Sequence, residues 1–225
     1  MIRPTASIAF ALACACAAAP VVAQQARFPA SAVPARGTRL PQFVPRGWRI
    51  ARQAEGDLNG DGRPDHVLHL VESGSGYDPD AVMAAPEVHA LVIVLTDGAA
   101  LRRGGVATGL LQGGVPQWGL QMNIRRGVLN VEQNFGMTEV SDFTHRFRLD
   151  PATGRFLLIG CDRLFYTRPQ EASDSRKVSE NYLTDVRLTT EGHESTGDFD
   201  HARVKRETIP RTRVFFEDVN EASDT

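Results

Sequence analysis

From Gly119 to Ile159 the chain falls into four strand-like runs, three of them alternating polar and apolar residues, and two turns sort those runs into pairs. Gly119-Leu120-Gln121-Met122-Asn123-Ile124 breaks at Arg126-Gly127 and resumes as Val128-Leu129-Asn130-Val131-Glu132-Gln133. Phe143 to Leu149 alternates likewise, Asp150-Pro151-Ala152-Thr153-Gly154 supplies a turn, and Arg155 to Ile159 returns. A period of two sends successive side chains to opposite faces, so each pair predicts a β-hairpin. Trp48 to Ala54 and His66 to Val71 read as further strands. His89 to Leu95 is apolar at every position except His89, which predicts a central strand covered on both faces. Asp97-Gly98 is a turn signal. Val178 to Leu188 and Ala202 to Ile209 read as two more strands. Residues 73–87 read as a loop, and Gly104-Gly105 and Gly113-Gly114 as a glycine-rich connection. Helical periodicity is scarce and glycine totals 20. The expected fold is all-β: an antiparallel meander or sandwich-like sheet with few short helices.

Residues 1–23 carry the marks of a secretion signal: Arg3, an alanine-rich apolar run from Ile8 to Val22, and Val21-Val22-Ala23 before cleavage. The expected destination is the periplasm or the exterior. No run reaches the ~18 apolar residues of a membrane span. Cys14 and Cys16 lie inside the signal, and neither follows the leucine at the third position upstream that marks lipidation, which argues against a lipid anchor. Only Cys161 then stays with the mature chain, which excludes an intramolecular disulfide. It closes Phe156-Leu157-Leu158-Ile159-Gly160, so it reads as a small buried hydrophobe. Residues 24–45, with Pro29, Pro34, Pro41 and Pro45, read as a linker or loosely attached arm. Residues 46–216 read as a single β-rich domain, and 217–225 as a polar tail. A formal charge of −2 gives no footing for nucleic-acid binding.

Asp57-Leu58-Asn59-Gly60-Asp61-Gly62-Arg63-Pro64-Asp65 sets a carboxylate or carboxamide at alternate positions. A hard cation such as calcium takes six to eight oxygen ligands at about 2.3–2.6 Å, and a tight loop of this spacing can converge on one. Numbered as an EF-hand loop, Asp57, Asn59 and Asp61 occupy positions 1, 3 and 5. Gly62 takes the bend, Arg63 offers its carbonyl at 7, and Asp65 stands at 9. Position 12, where a bidentate glutamate belongs, is Leu68. A strand follows instead of a helix, so the expectation is a strand-entering turn closed by Asp65.

Gly56 to Asp65, followed by a Val/Leu strand, resembles the calcium loop of FG-GAP and VCBS-type repeats, which occur in integrin-like β-propellers and exported bacterial proteins. The likeness covers about residues 54–72. It implies calcium held by the side chains of Asp57, Asn59, Asp61 and Asp65 and the carbonyl of Arg63. No second such loop is present, Asp198-Phe199-Asp200 being too short, so a full propeller is not expected. A looser likeness ties Gly113-Gly114, Gly127-Val128-Leu129, Arg155 to Gly160 and Asn181-Tyr182-Leu183-Thr184 to small exported bacterial proteins that carry one such loop.

Other constellations carry less. His66 and His69 are three apart, so on a strand they face opposite ways and do not share a metal. His89, His145, His193 and His201 show no ligand spacing. Gly74-Ser75-Gly76 lacks the spacing of a nucleophile elbow. Glu132-Gln133-Asn134-Phe135-Gly136 reads as a solvated strand end, and Arg102-Arg103 and Arg125-Arg126 as edge-protecting charge. The functional expectation is a non-enzymatic exported protein with one structural calcium loop. Two alternatives stand beside it. One is a periplasmic inhibitor or immunity protein that binds a secreted toxin in the cell envelope. The other is a hydrolase whose site is assembled from distant residues.

Overall fold

The computed structural model describes residues 27–81, 83–84, 88–114, 116–167, 174–195 and 198–221. Residues 1–23, read as a signal and containing Cys14 and Cys16, and the last four residues of the tail lie outside them. The elements are β1 (Arg36–Gly37), β2 (Trp48–Gly56), β3 (Asp65–Glu72), β4 (Met83–Ala84), β5 (His89–Asp97), β6 (Ala100–Ala107), β7 (Pro116–Arg125), β8 (Val128–Phe135), β9 (Glu139–Asp150), β10 (Arg155–Thr167), β11 (Asp174–Asn181), β12 (Val186–Ser195) and β13 (Asp198–Thr208). Among the described residues helix is limited to short 3-10 turns, the longest of them Leu40–Phe43. Among the described residues no helix is long and apolar enough to cross a membrane.

The strands form two antiparallel sheets that do not close into a barrel. One has the order β1-β6-β5-β3-β2, the other β13-β12-β11-β10-β9-β8-β7-β4. Alternation decides the layers. Val67, Leu91, Ile93 and Leu95 leave the first sheet on one face and meet Leu120, Leu129, Val131, Phe147, Phe156 and Leu158 of the second. Leu68, Leu70, Ala90, Val92 and Val94 leave on the other face. Both faces of β5 are therefore buried, as its run of apolar residues requires.

What covers that second face is the segment read as a loose arm. Phe28, Val33 and Phe43 are buried on it. Phe28 meets the Trp48 ring edge-on at 4.7 Å, and Arg103 donates to the Val33 carbonyl at 2.6 Å. The arm is a third layer, because three apolar anchors outweigh a proline-rich composition.

Three other expectations change. Gly104-Gly105 lies inside β6, and β5–β6 pairing shifts register there. A Cβ on Gly104 would sit 2.8 Å from Ile93 Cγ2 and 3.2 Å from Phe156, so this glycine permits close packing between layers. Residues 178–188 are not one strand but the end of β11, a turn and the start of β12. Asn181 Oδ1 accepts from the amides of Leu183 and Thr184, and Asp185 takes a left-handed φ of 57°. The polar tail folds back as a strap through residue 221. Leu157 bridges Phe215, Gly109 bridges Asn220, and Phe216 and Val219 enter the core between the sheets.

Candidate metal centre

The turn between β2 and β3 coils because its polar side chains bind its own backbone. Asp57 accepts from the amides of Gly60 (2.7 Å, Oδ1) and Gly62 (2.9 Å, Oδ2). Asn59 Oδ1 accepts from Asp61 N, and Asp61 Oδ1 from Arg63 N, each at 2.9 Å. These are successive Asx turns. Gly60 and Gly62 take φ of 80° and 79°, a region closed to most side chains. Leu58 points the other way and is buried in the core between the sheets.

Asp65 differs from the other three. It is fully buried at the start of β3. Its Oδ2 accepts from Leu58 N at 2.9 Å and its Oδ1 from Thr96 N at 2.8 Å. One carboxylate thus ties the start of the turn to the end of β5. Thr96 Oγ1 donates to the Pro64 carbonyl at 2.5 Å and doubles the tie. Burial raises the Asp65 pKa. The two amides oppose that rise, while the charges of Asp61 and Asp57 add to it. The Asp57 carboxyl is held low by the amides of Gly62 and Gly60.

The fit to a cation follows from these contacts. Asp57, Asn59 and Asp61 lie in one coil, and Asp65 is electrostatically coupled to it. The side-chain donors are all oxygen, which suits calcium better than zinc. Each carboxylate oxygen has two lone pairs, so accepting one amide leaves it able to bind a cation. The Arg63 side chain does not compete, since its Nη1 reaches the Asp97-Gly98 turn. Among the described residues no three His, Cys, Asp or Glu side chains gather closely enough to hold a metal. The loop is coiled as a ligand set, but its carboxylates are turned onto amides and do not point at one centre.

The structure also brings together residues that sequence spacing kept apart. His69 Nε2 lies 3.3 Å from His89 Nδ1, both rings buried between the sheets and close to Tyr77. Burial lowers the pKa of His69 well below its usual value and that of His89 to about 4. His66 points away from them and meets Gln53. A second buried network joins His145 to Glu221 at 2.6 Å and Arg163 to Glu221 at 3.2 Å. It continues from Arg163 to Glu180 at 3.3 Å and from Tyr182 to Glu180 at 2.6 Å. Burial pushes the Glu221 carboxyl up, but the hydrogen bond and charge of His145, with Arg163, outweigh it and hold the group low. Cys161 is buried and its thiol is pushed up to about 12, so it serves as packing. His193, His201 and Asp198 to Asp200 fall in β12 and β13. No sequence signal could have found the His69–His89 pair, because only β3–β5 pairing unites two residues twenty positions apart. Neither family models, nor curated protein sequences, nor solved structures give a match to this chain.

Proposed function

We propose that this chain is an exported, non-enzymatic β-protein whose β2–β3 turn binds one calcium ion and is fixed by it. Asp57, Asn59, Asp61 and Asp65 would hold the ion through side-chain oxygens and Arg63 through its carbonyl. The observation that carries the reading is the coil of Asx turns. It gathers three oxygen-bearing side chains, Asp57, Asn59 and Asp61, in five residues while two like charges press on the buried Asp65. A divalent cation there supplies the positive charge that relieves this repulsion. Among the described residues there is no disulfide, so a ligand bound only by the folded state adds stability that nothing covalent there provides. Export is supported by the sequence of residues 1–23.

Thermal unfolding of the parent and of an Asp57→Ala/Asp61→Ala variant, each in calcium and in chelator, tests the reading. Calcium at a hundred times its Kd adds about 2.7 kcal/mol, or about 5–10 °C in a domain of this size. The parent should show that shift and the variant should lose it. An equal response from both would sink the assignment.

A further inference from the structure

From residue 24 to residue 54 the chain carries six arginines and no Asp or Glu, so all 27 acidic residues lie beyond that stretch. The net charge of −2 therefore conceals a division between a basic arm and an acidic remainder. Two of the six arginines are held inside. Arg49 donates to the Tyr77 carbonyl, and Arg52 to the Pro79 carbonyl and to Asp80. The other four, Arg27, Arg36, Arg39 and Arg46, are exposed. Of these, among the described residues, Arg36 alone has an ion pair, with Asp97 at 3.3 Å.

The fold gives these charges a common direction. Phe28 packs on Trp48 of β2, Val33 receives Arg103 of β6, β1 pairs with β6, and Leu40–Phe43 crosses back over β5. The arm thus spans its sheet from one side to the other. Its apolar anchors point down to the sheet, which leaves its exposed side chains to face away. Every charge among those exposed positions is positive. Acidic side chains begin at the borders, with Asp97 at the end of β5 and Glu72 opposite Trp48. Burying Phe28, Val33 and Phe43 requires no particular charge on the far side, so covering the sheet does not account for the arginines.

We propose that this layer docks the protein on an anionic phospholipid surface, with its guanidinium groups bound to lipid phosphates. A guanidinium offers a phosphate two parallel N–H donors and stays charged at physiological pH. Basic residues near an anionic leaflet add their attraction one by one, and salt weakens it. The chain order favours lipid over other polyanions. Residues 1–23, read as a signal, end four residues before Arg27, a span of at most about 15 Å. A chain held at the membrane by that segment presents this layer to the bilayer first. That setting rests on the export reading, but the charge chemistry does not, and neither rests on calcium.

Vesicle flotation tests the proposal on the chain from residue 24, which keeps every described residue. That chain should bind vesicles of phosphatidylcholine with about a third phosphatidylglycerol in about 0.05 M salt, and leave them in about 0.5 M. Arg27→Ala/Arg39→Ala/Arg46→Ala should bind about a hundredfold more weakly, or about fivefold for each arginine. Arg125→Ala/Arg126→Ala/Arg148→Ala removes the same charge from exposed positions elsewhere and should bind as the parent does. Circular dichroism checks that each variant is folded. Arg39→Ala/Arg46→Ala, with an expected loss of about thirtyfold, replaces the first triple variant if it is not. Equal binding to phosphatidylcholine alone, no binding to the mixed vesicles, or equal loss in both triple variants would overturn the proposal. So would tighter binding to a duplex oligonucleotide than to the vesicles, which would assign the layer to nucleic acid. Salt-sensitive self-association in place of vesicle binding would overturn it too, and would pair the layer with the acidic remainder of a second copy.

Discussion

Both oxygens of Asp65 accept backbone amides, one from the turn it closes and one from the neighbouring strand. That arrangement predicts the effect of Asp65→Asn. A carboxamide carries one acceptor oxygen and one donor nitrogen, so an amide N–H must face a second donor in a buried place. The expected cost is about 1–3 kcal/mol in urea unfolding without calcium. Asn59→Asp, in contrast, keeps its exposed acceptor and loses only the long Nδ2 donation to Asp61 Oδ2 at 3.4 Å, with a like charge added in solvent, so it should cost less than Asp65→Asn. The alternate spacing from Asp57 to Asp65 was legible because all its consequences are local. The role of Asp65 was only half legible, since Thr96 reaches it through β3–β5 pairing. The histidines show the same limit and carry a pH prediction. Folding holds His69 and His89 neutral, with pKa values below 6.5, near 4 for His89. Between those values the unfolded chain binds more protons, so stability is full above about pH 6.5 and falls as pH drops toward 4. Each histidine contributes up to about 1.4 kcal/mol per pH unit. Urea midpoints at pH 7.5, 6, 5 and 4.5 should fall, and His89→Leu should flatten the fall. An unchanged slope in that variant would refute the assignment.

The hairpins β7–β8 and β9–β10 were readable because a period of two and a glycine turn are both local signals. The β11–β12 turn was missed because no Gly or Pro marks it. Asn181 and Asp185 make it through an Asx bond and a left-handed φ. Beyond the core between the sheets, β11–β13 is held by charge. Glu180 on β11 meets Arg187 on β12 at 2.7 Å, and Arg187 registers against Glu207 on β13. The strap that ends at residue 221 is pinned in the same way. Glu221 places a buried carboxylate against His145 and Arg163. Removing Glu221 leaves the buried His145 Nε2 without its partner, while Arg163 keeps Glu180. Glu221→Ala should therefore cost about 1–3 kcal/mol. It should also accelerate amide hydrogen exchange at Leu158, whose N–H bonds the Val214 carbonyl, and at Asp218. An exchange pattern matching the parent would show that the strap is held by Phe216 and Val219 alone.

At the level of the whole molecule, two sheets do not suffice, and the reason lies in β5. Its alternation sends Leu91, Ile93 and Leu95 to the second sheet and Ala90, Val92 and Val94 to the opposite face. A strand apolar on both faces requires three layers. The sequence therefore called for a cover, but not for its source, since residues 24–45 show no periodicity and are rich in proline. Without the arm, Leu68, Leu70, Ala90, Val92 and Val94 form a contiguous apolar surface of the kind that drives association. A chain beginning at residue 46 should therefore aggregate or oligomerise under conditions where the chain from residue 24 is monomeric by light scattering. A point variant separates cover from mere tether. Phe43 is completely buried, so Phe43→Ala should cost about 3–5 kcal/mol in urea. Arg39→Ala, exposed on the same segment, should cost less than about 0.5 kcal/mol. Equal midpoints for the two variants, with a monomeric truncated chain, would mean that the arm rests on the sheet without holding it. The predicted asymmetry would instead make the arm a layer of the domain and place its true start before Phe28.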